Sequence, residues 1–278
     1  MEFSNQHLDP DLRRQVTTLV AILGSIVFIN VANFFSSDGV DMATLSDILF
    51  TSVQILPANY AFAIWAPIYI GLIAFGIYQL QPTQRQNPIL QRGGYLLILA
   101  CLAQCAWIYL FLARLFPLSA IAMVGILLPL IGLYQHLDIG QQRISQQEQW
   151  FINIPISLYL GWITVATVVN VALALYSLNW NGWGIAPSIW AVIMMSVSAA
   201  IATYITIQRH DIAYTLVIVW AFVAIAIRQM DTPLIAVAGV VMAIALAFLS
   251  LMIELNLSAK MKSPQLKSKN QFINEVKK

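Results

Sequence analysis

Two carboxamides stand where carboxamides are expensive. Gln104 and Asn170 each lie in the middle of an otherwise apolar run, and an amide there must find a hydrogen-bond partner or face a ligand. Each keeps aromatic company at helical spacing. Gln104, Trp107 and Phe111 fall within one narrow arc, while Tyr159, Trp162, Ala166 and Asn170 form one stripe with Thr164 and Thr167 beside it. A further run places Phe62, Trp65, Tyr69, Leu72 and Gly76 on one stripe, an aromatic wall with a small-residue gap. Pro67 within that run predicts a kink that widens the space beside the wall. Flat apolar surfaces with a few polar anchors suit recognition of a flat hydrophobic ligand. The same residues would equally serve core packing, an interfacial aromatic belt or helix-to-helix hydrogen bonding, and either way the two amides point inward.

Groups that make and break bonds stand elsewhere. His7 is in the N-terminal tail, His136 and His210 are at span ends, and no second ligand lies at metal-binding spacing. Aspartates and glutamates are confined to loops and ends, Glu254 at the inner end of the last apolar run. Ion-coupled transport and proton relays normally need charges inside the membrane, so an energised transporter is disfavoured. Cys101 and Cys105 sit one helical turn apart on one helix, a poor arrangement for a disulfide, and read as small buried hydrophobes. The expectation is a protein that is not an enzyme and has neither metal nor obligatory cofactor.

What must position the aromatic and amide stripes is a set of membrane helices. Hydrophobic residues make up 60% of the 278 and charged ones 9%, against about 25% charged in a soluble globular chain, and the mean hydropathy is +0.77. The runs are continuous, without the two-residue alternation of an outer-membrane barrel. The first is a full span with no small-residue cleavage site, hence a retained anchor. The fold class expected is all-α, a polytopic helical membrane protein. Its spans fall near 15–36, 58–80, 94–115, 118–137, 150–177, 185–208, 212–229 and 232–255.

With the N-terminus inside, twelve of the fourteen Lys and Arg fall on the cytoplasmic side, and only Arg114 and Arg228 lie outside. That split predicts a multi-pass protein with both termini cytoplasmic, in a membrane of the inner or plasma type. The seventh span is the shortest, and Arg228 must sit at or snorkel toward the outer interface. The outer segment Ser36–Asn59, with Asp38, Asp41 and Asp47, the apolar stretch Ile48–Leu56 and then Pro57, is long enough to fold back as a lid, or else is a solvated acidic loop. Asn30 and Asn33 serve hydration or capping. Residues 260–278, with six lysines, predict a disordered basic tail touching anionic headgroups; nucleic-acid binding is not expected.

At these positions the chain resembles the translocator protein family, also called tryptophan-rich sensory proteins or TspO/MBR proteins, over about residues 15–178. Trp65 followed by Tyr69 is similar to the family's second span. Gln104-Cys105-Ala106-Trp107 stands where the family has Asn-Trp-x-Trp, and Tyr134-Gln135 looks like the end of its fourth. Tyr159, Trp162, Thr167 and Asn170 match the fifth at the same spacing. Phe62-Ala63 replaces the Gly-Pro that usually precedes the span-two tryptophan. The resemblance implies a five-helix bundle over 1–178 that binds a tetrapyrrole such as a porphyrin against Trp65, Tyr69, Gln104, Trp107, Tyr159, Trp162 and Asn170, under a lid formed by the loop joining spans one and two.

Residues 179–257 then form a three-helix extension without a counterpart in that bundle, joined through the turn Asn179–Gly184, and 258–278 the basic tail. In span eight Gly239, Ala243 and Ala247 make a small-residue strip that suits a homodimer or packing on the bundle. The partners expected are a hydrophobic small molecule and the lipid bilayer. A sensory or regulatory binding role is the leading expectation. A facilitated transporter of a small hydrophobic metabolite, an accessory membrane subunit and, by the resemblance, porphyrin breakdown are the alternatives.

Overall fold

The computed structural model describes residues 10–276 except 37, 38 and 143, and leaves aside the side chains of Pro88, Ile89, Arg92 and those beyond Asn256. His7, Asp38, Arg143, Lys277 and Lys278 lie outside the described residues. Among the described residues every regular element is helical. The helices are α1 (Pro10–Phe34), α2 (Met42–Leu49), α3 (Trp65–Gln79), α4 (Pro88–Leu112), α5 (Phe116–His136), α6 (Gln146–Glu148), α7 (Ile154–Ser177), α8 (Pro187–Arg209), α9 (Ile212–Arg228) and α10 (Pro233–Val276). A 3-10 turn, Asn59–Ile64, leads into α3, and a π-helical turn, Gln149–Asn153, joins α6 to α7.

Among the described residues, seven helical segments are long and apolar enough to cross a bilayer. The eighth predicted span, α9, has 17 residues, about 25 Å at 1.5 Å per residue. It is nonetheless the most enclosed, packed between α7, α8 and α10, with Tyr214, Ile218, Ala221, Phe222 and Ala224 buried. A short helix walled by protein has little lipid to match. Side-chain pairings give the directions. Gln15 meets Gln79 across α1 and α3, Gly94 meets Thr18 across α4 and α1, and Gly125 meets Ala103 across α5 and α4. Ser119 reaches Asn170, Gly161 abuts Val217, Thr206 touches Thr215 and Gly239 abuts Phe222. These registers make α1, α3, α4, α5, α7, α8, α9 and α10 alternate in direction. The start of α1 and the membrane end of α10 therefore share one face of the bundle.

Two sequence expectations are corrected, and the small-residue strip of span eight takes one of its expected uses. Pro67 does not kink a span, because the α-helix begins only at Trp65 and places proline in its first turn, where its missing N–H has no partner to lose. The carbonyl of Ala61, in the 3-10 turn before it, accepts from Trp220 Nε1 at 3.0 Å. The stretch after residue 257 is not an unordered tail: α10 continues through it to Val276, lysine, glutamine and leucine being good helix formers. The strip at Gly239 is covered within the chain, since a Cβ there would lie 3.0 Å from Ala226 Cβ and 3.0 Å from the Phe222 carbonyl.

Candidate functional site

The outer loop does fold back over the bundle. Asp41 caps α2 by accepting from Thr44 N–H at 2.8 Å, and Asn33 at the end of α1 accepts from Met42 N–H at 3.1 Å. Phe50, Leu56 and Val53 are buried beneath it. Two residues of α2, Met42 and Ser46, join Leu56 and Pro57 as the cover of a cavity whose walls include Phe62, Trp65, Trp107, Trp162 and Asn170. Phe111, Met123, Ala166 and Leu173 complete much of the lining.

The three tryptophans come from three helices and converge here. Trp65 stacks on Tyr69, centroids 5.1 Å apart, and meets Trp162 edge-on at 6.4 Å; Phe62 meets Trp162 edge-on at 6.0 Å. Trp107 lies 5.8 Å from Phe111. Edge-on and offset contacts of this kind are the favoured aromatic geometries. Of the seven ligand residues expected from sequence, Trp65, Trp107, Trp162 and Asn170 line the cavity. Tyr69, Gln104 and Tyr159 do not; they stand behind it.

Their placement has a simple cause. Tyr159, fully buried on α7, donates its hydroxyl hydrogen to Gln104 Oε1 on α4, and each group satisfies the other's most costly atom. Asn170 Oδ1 accepts from Ser119 Oγ of α5 at 3.1 Å. Both amides thus join helices, and Asn170 in addition faces the cavity. Two buried donors beside this region, Trp107 Nε1 and Gln104 Nε2, have no partner among the described residues. The enclosed volume is about 40 Å³, room for water and far below the roughly 300–1,000 Å³ of small-molecule sites. Met42, Ser46, Leu56 and Pro57 narrow it from the outer side.

Sequence reasoning missed the role of α9, which holds the bundle at both ends. At the outer end Ala58 N–H donates to the Ala224 carbonyl at 3.1 Å, Trp220 bonds Ala61 and stacks edge-on with Tyr60 at 5.2 Å. Arg228 does sit at the outer end, and it spends its charge on an ion pair with Asp47 of α2. At the inner end the N-cap residue of α9, Asp211, accepts from Tyr134 at 2.8 Å, from Ser157 at 2.7 Å and from Tyr214 N–H at 3.1 Å. Burial raises the Asp211 carboxyl above the ordinary aspartate range, and those three hydrogen bonds oppose the rise. The guanidinium of Arg209 lies 5.5 Å from the Tyr134 ring centroid. A capping aspartate after a positively charged helix end was legible at Arg209–Asp211; its partners, far away in sequence, were not. No three His, Cys, Asp or Glu among the described residues are grouped to hold a metal ion.

Fold and setting define a polytopic all-helical membrane protein with an aromatic core cavity under a folded-back outer loop. The family model for TSPO-like protein matches residues 15–252, and the chain belongs to that family. The match runs beyond residue 178, through α8, α9 and most of the membrane part of α10. No curated protein and no solved structure matches the chain.

Proposed function

We propose that this chain is a membrane-embedded binding protein for a flat hydrophobic ligand, a tetrapyrrole, with a sensory or regulatory role and no catalytic one. The observation that carries the reading is the convergence of Trp65, Trp107 and Trp162 from α3, α4 and α7 on one cavity bordered by a single amide, Asn170. Three indoles supply stacking surface, and the unspent Nε1 donor of Trp107 suits an acceptor on the ligand edge, such as a carboxylate. The ligand enters when α2 and residues 56–57, which border the cavity on its outer side, lift. Arg13, Arg14, Arg85 and Arg209, at helix ends on the face shared by the start of α1 and the membrane end of α10, support a cytoplasmic location for that face.

Purified protein titrated with protoporphyrin IX should show saturable tryptophan quenching at micromolar concentration. Trp162→Phe should weaken it several-fold and Trp162→Ala at least tenfold, base–aromatic-type stacking being worth about 1–3 kcal/mol per contact. Absence of saturable quenching in the wild type at micromolar porphyrin rejects the reading.

A further inference from the structure

A second and much larger cavity lies on the other side of α7. Its volume is about 350 Å³, within the roughly 300–1,000 Å³ of small-molecule sites. One wall is the outer half of α7 at Val168 and Ala172, the facing wall is α8 at Met194, and the end is closed by Trp180 and Trp190. The remaining wall is the segment Ser52–Ile55, whose continuation, Leu56 and Pro57, covers the aromatic core cavity.

The aromatic end is built, not incidental. Trp190 donates Nε1–H to the Gly182 carbonyl at 2.9 Å, which fixes its ring, and Trp180 meets it with centroids 5.3 Å apart. Gly182 has φ +64, and a Cβ there would stand 3.3 Å from the Trp190 ring, so glycine alone permits this close approach without strain. The walls are mostly apolar, with Ser52, Gln54, Tyr176 and Asn181 the polar residues among them, and the Asn181 side-chain oxygen already accepts from Trp183 N–H at 3.0 Å. Gln54 lines the cavity, and its Oε1 is buried without a hydrogen-bond partner among the described residues. A buried amide oxygen without a donor is costly, and a donor entering beside Gln54 would relieve that cost.

We propose that this cavity is a binding site for a small amphiphile with an apolar, preferably aromatic body and one hydrogen-bond donor, a hydroxyl or amine, directed at Gln54. A bare lipid acyl chain would fill the apolar walls and leave the acceptor unpaired. The donor-bearing amphiphile satisfies both. The proposal does not rest on the ligand of the core cavity.

The test titrates purified protein with 1-pyrenemethanol and, in parallel, 1-methylpyrene, which has the same body without the donor, reading energy transfer from tryptophan to pyrene. Expected are saturable binding of the alcohol, at least fivefold tighter than the hydrocarbon, and a Gln54→Leu variant in which that preference is gone. Filling the cavity from either wall, by Ala172→Phe or Met194→Phe in variants that remain monodisperse, should weaken the alcohol at least fivefold. Trp162→Ala, in the core cavity, should leave it unchanged. Equal affinity for the two compounds in the wild type, binding unaffected by both filling variants, or binding lost in Trp162→Ala would each overturn the proposal. So would a tightly retained phospholipid found by native mass spectrometry that the alcohol fails to displace.

Discussion

Tyr134 on α5 donates its hydroxyl hydrogen to the carboxylate of Asp211, 77 positions later, at 2.8 Å. With Ser157 of α7 on the same carboxylate oxygen, one residue at the start of α9 ties that helix to α5 and α7. Removing the acceptor by Asp211→Ala leaves two buried hydroxyls and a helix N-terminus unsatisfied. It should cost about 2–4 kcal/mol, from one lost cap and the desolvation left uncompensated. Tyr134→Phe removes one donor only and should cost about 1 kcal/mol. Melting temperatures of the purified variants order these effects.

The same carboxylate sets a pH dependence. Burial, the leading cause, raises Asp211 above its unfolded value, so the native state holds this proton more tightly than the unfolded chain. Between the ordinary aspartate value of about 3.9 and the raised native one, stability contributed by this site falls as pH rises, and it is fully present below that window. Asp211→Asn cannot ionise, while its amide still offers an acceptor to Tyr214 N–H and a donor to the rotated hydroxyls. Its melting temperature should lack that component of the decline, measured from acid upward against the wild type. An identical slope in both proteins would refute the assignment.

At the outer end, α9 restrains the cover of the core cavity through Arg228 on Asp47 and Ala224 on Ala58. Arg228→Gln should loosen the cover without unfolding the bundle. A loss of about 1 kcal/mol in local opening free energy corresponds to about fivefold faster hydrogen exchange. That acceleration should appear at Ala58 and across 42–57, with exchange in the centre of α7 unchanged.

How much of this was legible from sequence follows from what each feature depends on. The membrane helices were, because solvent dictates them locally: a run such as Leu96–Leu112 has no other stable environment. The meeting of Trp65, Trp107 and Trp162 was expected only through the family resemblance, since helical spacing puts each on a stripe within its own run and does not say which runs meet. Pro67 was misread because its effect depends on where the helix starts, and α3 starts only at Trp65, after a 3-10 turn that Trp220 holds from 159 positions away. Tyr159 and Gln104 each read alone as a buried polar cost that a ligand could meet; the structure pairs them with one another, and neither lines the core cavity. Arg228 was legible as sitting at or reaching the outer interface, but its partner Asp47, 181 positions earlier, was not. Long-range pairings of this kind leave no periodic trace.

Gly140 gives a test of the inner junction that involves no ionisable group. Its φ is +79, and a Cβ added there would fall inside the carbonyl of Arg209, a backbone atom that cannot rotate aside. Gly140→Ala therefore combines a left-handed backbone penalty of about 1–2 kcal/mol with overpacking of about 1–3 kcal/mol. The variant should melt well below the wild type. Its contact is with the end of α8, so limited proteolysis should accelerate first in 136–146 and 209–212, leaving the aromatic core cavity intact.

The Gln104–Tyr159 pair separates a structural from a ligand-facing role for the amide. Gln104→Met alone strands the buried Tyr159 hydroxyl and should cost about 1–3 kcal/mol, and Tyr159→Phe alone strands the carboxamide oxygen at similar cost. Replacing both by apolar groups of like shape removes the unpaired atoms together, so the double variant should recover most of the loss, with a coupling of about 1–2 kcal/mol in a thermal double-mutant cycle. Because neither side chain lines the core cavity, the double variant should also bind protoporphyrin IX as the wild type does, within about twofold. A double variant that regains its melting temperature and loses the porphyrin would place Gln104 on the ligand after all, through the Nε2 donor that has no partner among the described residues.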